Sequence, residues 1–435
     1  MNKDRKQIDP GFAASLMRGM TERRISRRNL IKYGGASVGT LSLASILAAC
    51  GSGDSSGTAP GGGEEPAGQT VDFSAEPGAE INFANWPLYI DQAKDKETGQ
   101  RINPSLVAFT DETGIKVNYN DEIQANDSFF GELLPQLQAG QDTGRDIIVI
   151  TNGRELTALI VNGWLTELDP SMRPNFDANA ASWAKDPDFD PGNKFSMAWQ
   201  SGLTGVGWNT EKVSQPITKL DDLMNADIVG TNSVGMITGD MPDVVMINLG
   251  ITPSESGPEE WKAAADWIEK LKASGTLRKF YDQGYVDDFT AGNLAATMAW
   301  SGDVLYYKIW EDQPFEFIVP DGGALLWIDN MLIPANSANP QGAYQLMDWV
   351  YKPEIAQMIT EWVLYMSPVP AVQDLIAQHA AEEQGATAVD LEETAGSPLL
   401  WPDDALLTKT PFGRNLTTDD EREEWDAIFI PVTES

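Results

Sequence analysis

The sequence predicts an α/β protein built of two lobes with a ligand cleft between them. Three observations lead there. Strand and helix patterns alternate through residues 80–151. The run Ile147-Ile148-Val149-Ile150 is apolar on both sides, as a strand covered on both faces must be. A second alternating block follows Gly205. Two blocks of this kind, each with an open sheet, leave a crevice of the sort in which open α/β sheets hold small molecules.

In the first block, Glu80–Asn85 reads as a strand, Pro104–Thr113 as a helix stopped by Gly114, and Ile115–Asn120 as a second strand. Asp127–Ala139 follows with helical spacing of Phe129, Phe130, Leu133, Leu134 and Leu137, and Asp146–Thr151 is the third strand. In the second block, Val234–Thr238 reads as a strand, Pro242–Gly250 as a short helix and Pro258–Ala273 as a longer amphipathic one. Phe315–Val319 and Leu325–Ile333 are strand candidates around Asp321-Gly322-Gly323, and Gln341–Val350 and Pro353–Tyr365 are again helical. No internal repeat of fixed period is present.

Composition removes several function classes. The chain carries 65 acidic and 30 basic residues, a formal charge of −35, so the basic footprint that meets nucleic-acid phosphates is missing. Anionic lipid headgroups are disfavoured for the same reason; cationic ligands are favoured, though surface acidity serves solubility or salty surroundings at least as well. The single cysteine, Cys50, rules out a disulfide framework and a Cys-based zinc site within the chain. The single histidine, His379, lies in a polar helix-like stretch with no nucleophile motif beside it.

Residues 1–50 read as an export segment: a basic region, a mild apolar run over 33–49 and a small-residue exit. Ser26-Arg27-Arg28-Asn29-Leu30-Ile31-Lys32 resembles the twin-arginine export motif, and Leu47-Ala48-Ala49-Cys50 resembles a bacterial lipobox, in which the cysteine is lipidated. Residues 51–78, rich in Gly, Ser, Pro, Ala and Glu, read as a flexible tether. The expected division is then residues 79–205 with 326–370 as one lobe, and 206–325 with 371–435 as the other.

Four places set acids or aromatics at element ends, as a cleft for an organic cation requires. Carboxylates meet the charges, and ring faces attract cations by ~0.5 to ~2 kcal/mol according to solvation. Trp86 and Tyr89 follow the first strand. Asp240 and Asp243, one turn apart, open the helix at Pro242 and serve equally well as cap and dipole partner. Trp300 and Asp303 form a third place, with Asp303 equally suited to an N-cap. Trp327 and Asp329 share one face of an apolar strand, where an unpartnered acid is costly, so Asp329 is the strongest single candidate.

Asn85-Trp86-x-x-Tyr89, Asp240-x-x-Asp243, Trp300-Ser301-Gly302 and Trp327-Ile328-Asp329 with Ile333-Pro334-Ala335-Asn336, in this order, resemble the periplasmic spermidine/putrescine-binding proteins. The resemblance covers about residues 78–430. It implies a type II periplasmic-binding-protein fold that closes on a polyamine and serves the permease subunits of an ATP-driven importer. It implies an aromatic box of Trp86, Tyr89, Trp300, Trp327 and Tyr365, acids Asp240, Asp243 and Asp329 on the ammonium groups, and the hydroxyl of Thr151. It implies chain crossings near Gly205-Val206, Leu325-Leu326 and Ala371. A monomer, no cofactor and no metal are expected, with the membrane touched only through the lipid on Cys50. The sequence departs from the family where Asp243 replaces a common Glu, Pro87 a common Thr, and Gly153 an aromatic followed here by Arg154. The family's C-terminal polar contact has no match between Phe412 and Trp425. Three rival readings stand beside this one: a binding protein for another small solute (cationic compound, metal ion or sugar), a secreted glycoside hydrolase using paired carboxylates, and a purely adhesive surface lipoprotein.

Overall fold

The computed structural model describes residues 68–95 and 98–434. The export segment with Arg27, Arg28 and Cys50, and most of the expected tether, lie outside the described residues.

Among the described residues, nine strands form one sheet. In chain order the strands are β1 (Glu80–Ala84), β2 (Ala93–Lys94), β3 (Arg101–Ile102), β4 (Lys116–Asn120), β5 (Ile147–Thr151), β6 (Ser196–Asn209), β7 (Val234–Ile237), β8 (Leu277–Tyr281), β9 (Ala296–Trp300), β10 (Phe315–Ile318) and β11 (Leu325–Leu332). The order across the sheet is β4-β1-β5-β11-β6-β9-β7-β8, with β10 also on β6, while β2 and β3 pair separately. β4, β1 and β5 are mutually parallel, as are β9, β7 and β8; β11 and β6 run antiparallel to their neighbours. The central pair is therefore the seam: β6 binds β11 through its first half and β9 through its second, so one strand carries the sheet from one half of the molecule to the other.

The helices that the sequence places are present, and others, among them Arg154–Val161 and Asp419–Glu434, arise where it placed none. Pro104–Thr113 begins with proline, whose missing N–H costs nothing in a first turn, and ends at Gly114 in the left-handed region (φ 78°). Pro258–Ser274 buries Trp261, Ala264, Ala265, Ile268 and Leu271, an i, i+3, i+4 stripe, and Glu260 accepts the N–H of Gly257 at 3.0 Å. β5 alternates between two cores. Ile147 and Val149 join a cluster with Phe83, Phe109 and Met347, while Ile148 and Ile150 join Leu156, Leu159 and Leu332 on the other face. The second half has its own core around Val234, Met236, Val244, Trp261, Ile268 and Met298.

Two expected boundaries move. The fold begins before residue 79: Gln69 bridges to Thr166 and Phe73 packs on Tyr344 at 4.7 Å between ring centroids, because Val71 and Phe73 give this end of the tether apolar surface to bury. The chain also does not leave the first half at Ala371. Val372, Ile376, Ala380 and Leu391 are buried in the first-half core, an apolar stripe of the helix Val372–Glu382 and its successor. Further along, Leu416, Phe429 and Val432 are buried in the second core, with Trp425 and Ile428 packed against it.

β6 escapes sequence reading because Gly202, Gly205 and Gly207 depress its strand propensity. At Gly202 the reason is space. A Cβ there would lie 2.5 Å from Cζ2 of Trp327 and 2.9 Å from Cδ1 of Tyr365. Gly202→Ala therefore pushes two buried rings and should lower stability by about 1–3 kcal/mol, an overpacking cost. Urea unfolding followed by tryptophan fluorescence will show a lower midpoint at unchanged slope; an unchanged midpoint contradicts the packing described.

Candidate functional site

The carboxyl ends of β1, β5, β7 and β9 converge on one cleft. It has a volume of about 590 Å³, mouth included, and is lined by Trp86, Pro87, Leu88, Tyr89, Asn126, Thr151, Asp240, Gln283, Trp300, Asp303, Trp327, Asp329 and Tyr365. Eight of the nine expected ligand-contact positions are thus brought together; Asp243 is the exception. Among the described residues that line the cleft there is no Lys, Arg or His. Among the described residues, no group of three or more His, Cys, Asp or Glu side chains is placed to hold a metal ion.

Each acid is held by donors aimed at it. In β11, Asp329 sits opposite Thr151 of β5 and Gln200 of β6, and a register shift between Asp329 and Asn330 marks a bulge at this point. Thr151 Oγ1 donates to Asp329 Oδ1 at 2.6 Å. Burial pushes the Asp329 carboxyl up to about 6, against the hydrogen bond that favours its charge. The buried Tyr89 hydroxyl lies beside it, short of good hydrogen-bond geometry, and its closeness also favours the carboxylate form of Asp329.

Asp240 precedes the helix Met241–Asn248 but does not cap it with its side chain. Its Oδ2 instead accepts from Thr204 Oγ1 at 2.6 Å and from Trp300 Nε1 at 2.9 Å. The cap alternative fails here because the carboxylate turns toward the cleft. Although partly open to the cleft, Asp240 is surrounded by protein on its other sides, and that burial raises its carboxyl. Trp327 Nε1 donates to Thr204 Oγ1 at 3.1 Å, so one threonine links the indole of β11 to the acid of the other half.

Asp303 is likewise no N-cap. It lies in the first turn of the helix Ser301–Ile309, where its Oδ2 accepts from Tyr285 at 2.9 Å and its Oδ1 from Tyr365 at 3.1 Å. Asp243 does not line the cleft. Its Oδ1 accepts the backbone N–H of Arg414 at 2.9 Å, and burial raises its carboxyl to about 7, with the Asp240 charge adding to the rise.

The rings form a connected wall. Tyr365 meets Tyr89 edge-on at 5.2 Å and Trp327 at 5.5 Å, and Trp300 stands against Tyr285 at 5.9 Å. Trp199 Nε1 donates to Tyr89 O at 3.1 Å, tying the loop after β1 to β6, and Trp86 Nε1 donates to Val149 O at 3.1 Å. Leu88 (φ 61°) and Leu364 (φ 57°) take left-handed backbone to turn the chain beside Tyr89 and Tyr365, the kind of local strain that clusters at sites. The aromatic missing at Gly153 is not replaced: nothing lies within 4 Å of a Cβ placed there, and its φ of 139° favours glycine. Arg154 approaches Glu155 and Asp426 and does not line the cleft.

Sequence reasoning missed Asn126, Gln283 and Leu88. Asn126 accepts the Thr151 N–H at 3.2 Å and opens a helix right after a strand and its short loop. Gln283 follows β8, a strand whose Leu-Arg-Lys-Phe-Tyr sequence has no strand-like alternation.

The sequence profile described as bacterial extracellular solute-binding protein matches residues 105–388. The spermidine/putrescine-binding periplasmic protein of Escherichia coli (strain K12) is 25% identical over 309 residues, covering 70% of this chain and 82% of that one. The putrescine-binding periplasmic protein SpuD of Pseudomonas aeruginosa (strain UCBPP-PA14) is 27% identical over 354 residues, covering 78% and 90%. Among solved structures, the spermidine/putrescine ABC transporter substrate-binding protein PotD from Streptococcus pneumoniae superposes with a TM-score of 0.64 at 22% identity, covering 82% of this chain and 99% of that one. The fold is thus that of the two-lobed binding proteins, and among the described residues no helix is long and apolar enough to cross a membrane. With the profile spanning more than half of its length, this chain belongs to the bacterial extracellular solute-binding protein family.

Proposed function

We propose that this chain captures a polyamine of the spermidine/putrescine class outside the cytoplasm and delivers it to the permease of an ATP-driven importer. One observation carries the reading: Asp329 and Asp240, from the two halves, meet in an aromatic-walled cleft that offers them no internal cation. A flexible diammonium chain supplies what the cleft lacks. Its nitrogens answer the carboxylates, and its methylenes lie against Trp86, Trp300, Trp327 and Tyr365. The relatives named for spermidine and putrescine support the same ligand class. Thr151 and Thr204 act as holders of the acids, Tyr89 as a hydroxyl beside Asp329 that supports its charged form, and Asp303 as a third negative group at the Tyr365 end. Capture is by closure: contacts from both halves favour the closed form. The chain acts as a monomer held to the membrane through Cys50.

Asp329→Asn keeps shape and loses charge. Truncating one partner of a buried charge pair costs about 2–5 kcal/mol, so putrescine or spermidine affinity should fall roughly thirtyfold or more. Titration calorimetry checks this, and unchanged affinity overturns the reading.

The pH dependence has a definite sign. The Asp329 carboxyl titrates near 6 when folded against 3.8 ordinarily. Between those values the folded protein keeps a proton that the unfolded chain has lost, so this group lowers the stability of the ligand-free protein as pH rises from about 4 to 6. Above 6 the penalty is complete, and a bound ammonium relieves it. The rise in melting temperature produced by saturating putrescine should therefore be larger at pH 7.5 than at pH 5, and Asp329→Asn should flatten the difference. Thermal shift in amine-free buffers measures both; an equal rise at both pH values contradicts the assignment.

A further inference from the structure

We infer that Asp243, rather than touching the ligand, anchors a C-terminal strap that ties the two halves together; the inference rests on the capture-by-closure reading above. The strap is residues 409–416. It first runs beside the start of β11, on the side that β5 pairs only from Asp329 onward; there Lys409 O accepts from Ala324 N at 3.3 Å and Pro411 O from Leu326 N at 3.1 Å. It then meets Asp243. Gly413 presses so close that a Cβ there would lie 2.5 Å from Asp243 Oδ2, and the Arg414 N–H donates to Oδ1 at 2.9 Å. The Arg414 guanidinium reaches the Ser254 carbonyl and Glu421, both at 2.6 Å, which pins this residue to the second half.

The very next residue crosses over. Asn415 Oδ1 accepts from Thr157 Oγ1 at 2.8 Å. Thr157 stands on the helix Arg154–Val161, whose Leu156, Leu159 and Ile160 are buried with β5 and the end of β11. Leu416 then enters the second core. The crossing contact is thus one residue from the Asp243 anchor on one side and one from a core leucine on the other. Arg154 and Asp426, 3.8 Å apart and half exposed, add a weaker tie between the same two bodies.

The chemistry at Asp243 fits an anchor. A backbone N–H asks only for an acceptor, whereas an ammonium asks for a charge. Asp243 Oδ1 supplies that acceptor, and the residue is not among those lining the cleft. The strap's hold on Asp243 acts on the ligand through the halves: it stabilises the closed form and slows release.

The test separates these roles. Two spin labels are placed at exposed positions of the two halves, Val161→Cys and Ile430→Cys, in the full chain carrying Cys50→Ser, and their distance is measured by pulsed dipolar spectroscopy without amine. Putrescine dissociation is measured by stopped flow on the unlabelled variants. Asp243→Ala and Asn415→Ala should both lengthen and broaden the label distance and speed dissociation about tenfold, without adding when combined. Asp243→Asn, whose amide oxygen still accepts the Arg414 N–H, should match the parent in both. Unchanged distances in the alanine variants overturn the inference. So does an Asp243→Asn affinity loss as large as that of Asp243→Ala, which marks a direct ammonium partner. If Asp243→Ala fails to fold, Thr157→Ala and Asn415→Ala decide by the same readouts. Should the parent bind no putrescine, the capture reading falls by itself, and the label distances still decide the strap.

Discussion

The cleft is organised by carboxylates withdrawn from water without a cation of their own. Taking an acid out of water favours its neutral form, and a rise of the Asp329 carboxyl from 3.8 to about 6 corresponds to about 3 kcal/mol of lost preference for the charge. The protein holds the acids in place with neutral donors instead of bases: hydroxyls of Thr151 and Thr204, and the indole N–H of Trp300. Neutral donors fix position and partly offset desolvation, and they leave the net negative charge uncancelled. A lysine in their place would neutralise the site before any solute arrived.

The aromatic residues obey the same constraint. Each indole N–H near the cleft is spent on a protein acceptor: Trp86 on Val149 O, Trp300 on Asp240, Trp327 on Thr204. A free N–H would carry its positive end toward an incoming cation. With the donors occupied, a solute meets carbon surface whose faces carry the negative lobe of the ring quadrupole. The central strands make this possible. β11 lays Trp327 and Asp329 on one face, and β6 opposes them with Gly202 and Gln200, so Cζ2 and Cη2 of the indole occupy the space that a side chain at Gly202 would fill.

How much of this could be read from the residues depended on how local each determinant is. The apolar run of β5 announced its double burial, and Pro104–Thr113 announced both its ends, because those signals lie within a few residues. Asp329 was legible because an acid in an apolar strand needs a reason. β6 was not, since its glycines make sense only beside residues far along the chain: Trp327 and Tyr365 at Gly202, Phe317 at Gly205, Val304 at Gly207. The helix Val372–Glu382 was expected in the second half because the crossing point came from resemblance alone; its apolar stripe fixes that it packs but not against what. Gln283 stayed hidden with the strand before it.

Asp240 and Asp243 show where such reading ends. They share one turn, and by spacing alone both can face a solute. In the structure one is claimed by Thr204 and Trp300 at the cleft and the other by the backbone of Arg414, a residue 171 positions along the chain. What separates them is a strap whose sequence gives no sign of its destination. That division has an energetic sense. A solute shifts an open–closed equilibrium only by its differential affinity for the two forms. Acids at the cleft set that difference, while contacts outside it set the starting population, so the ligand's hold and the ease of its release are governed by different atoms. A delivery protein must grip at low concentration and still let go at the permease, and two neighbouring aspartates with separate duties allow each to be tuned alone.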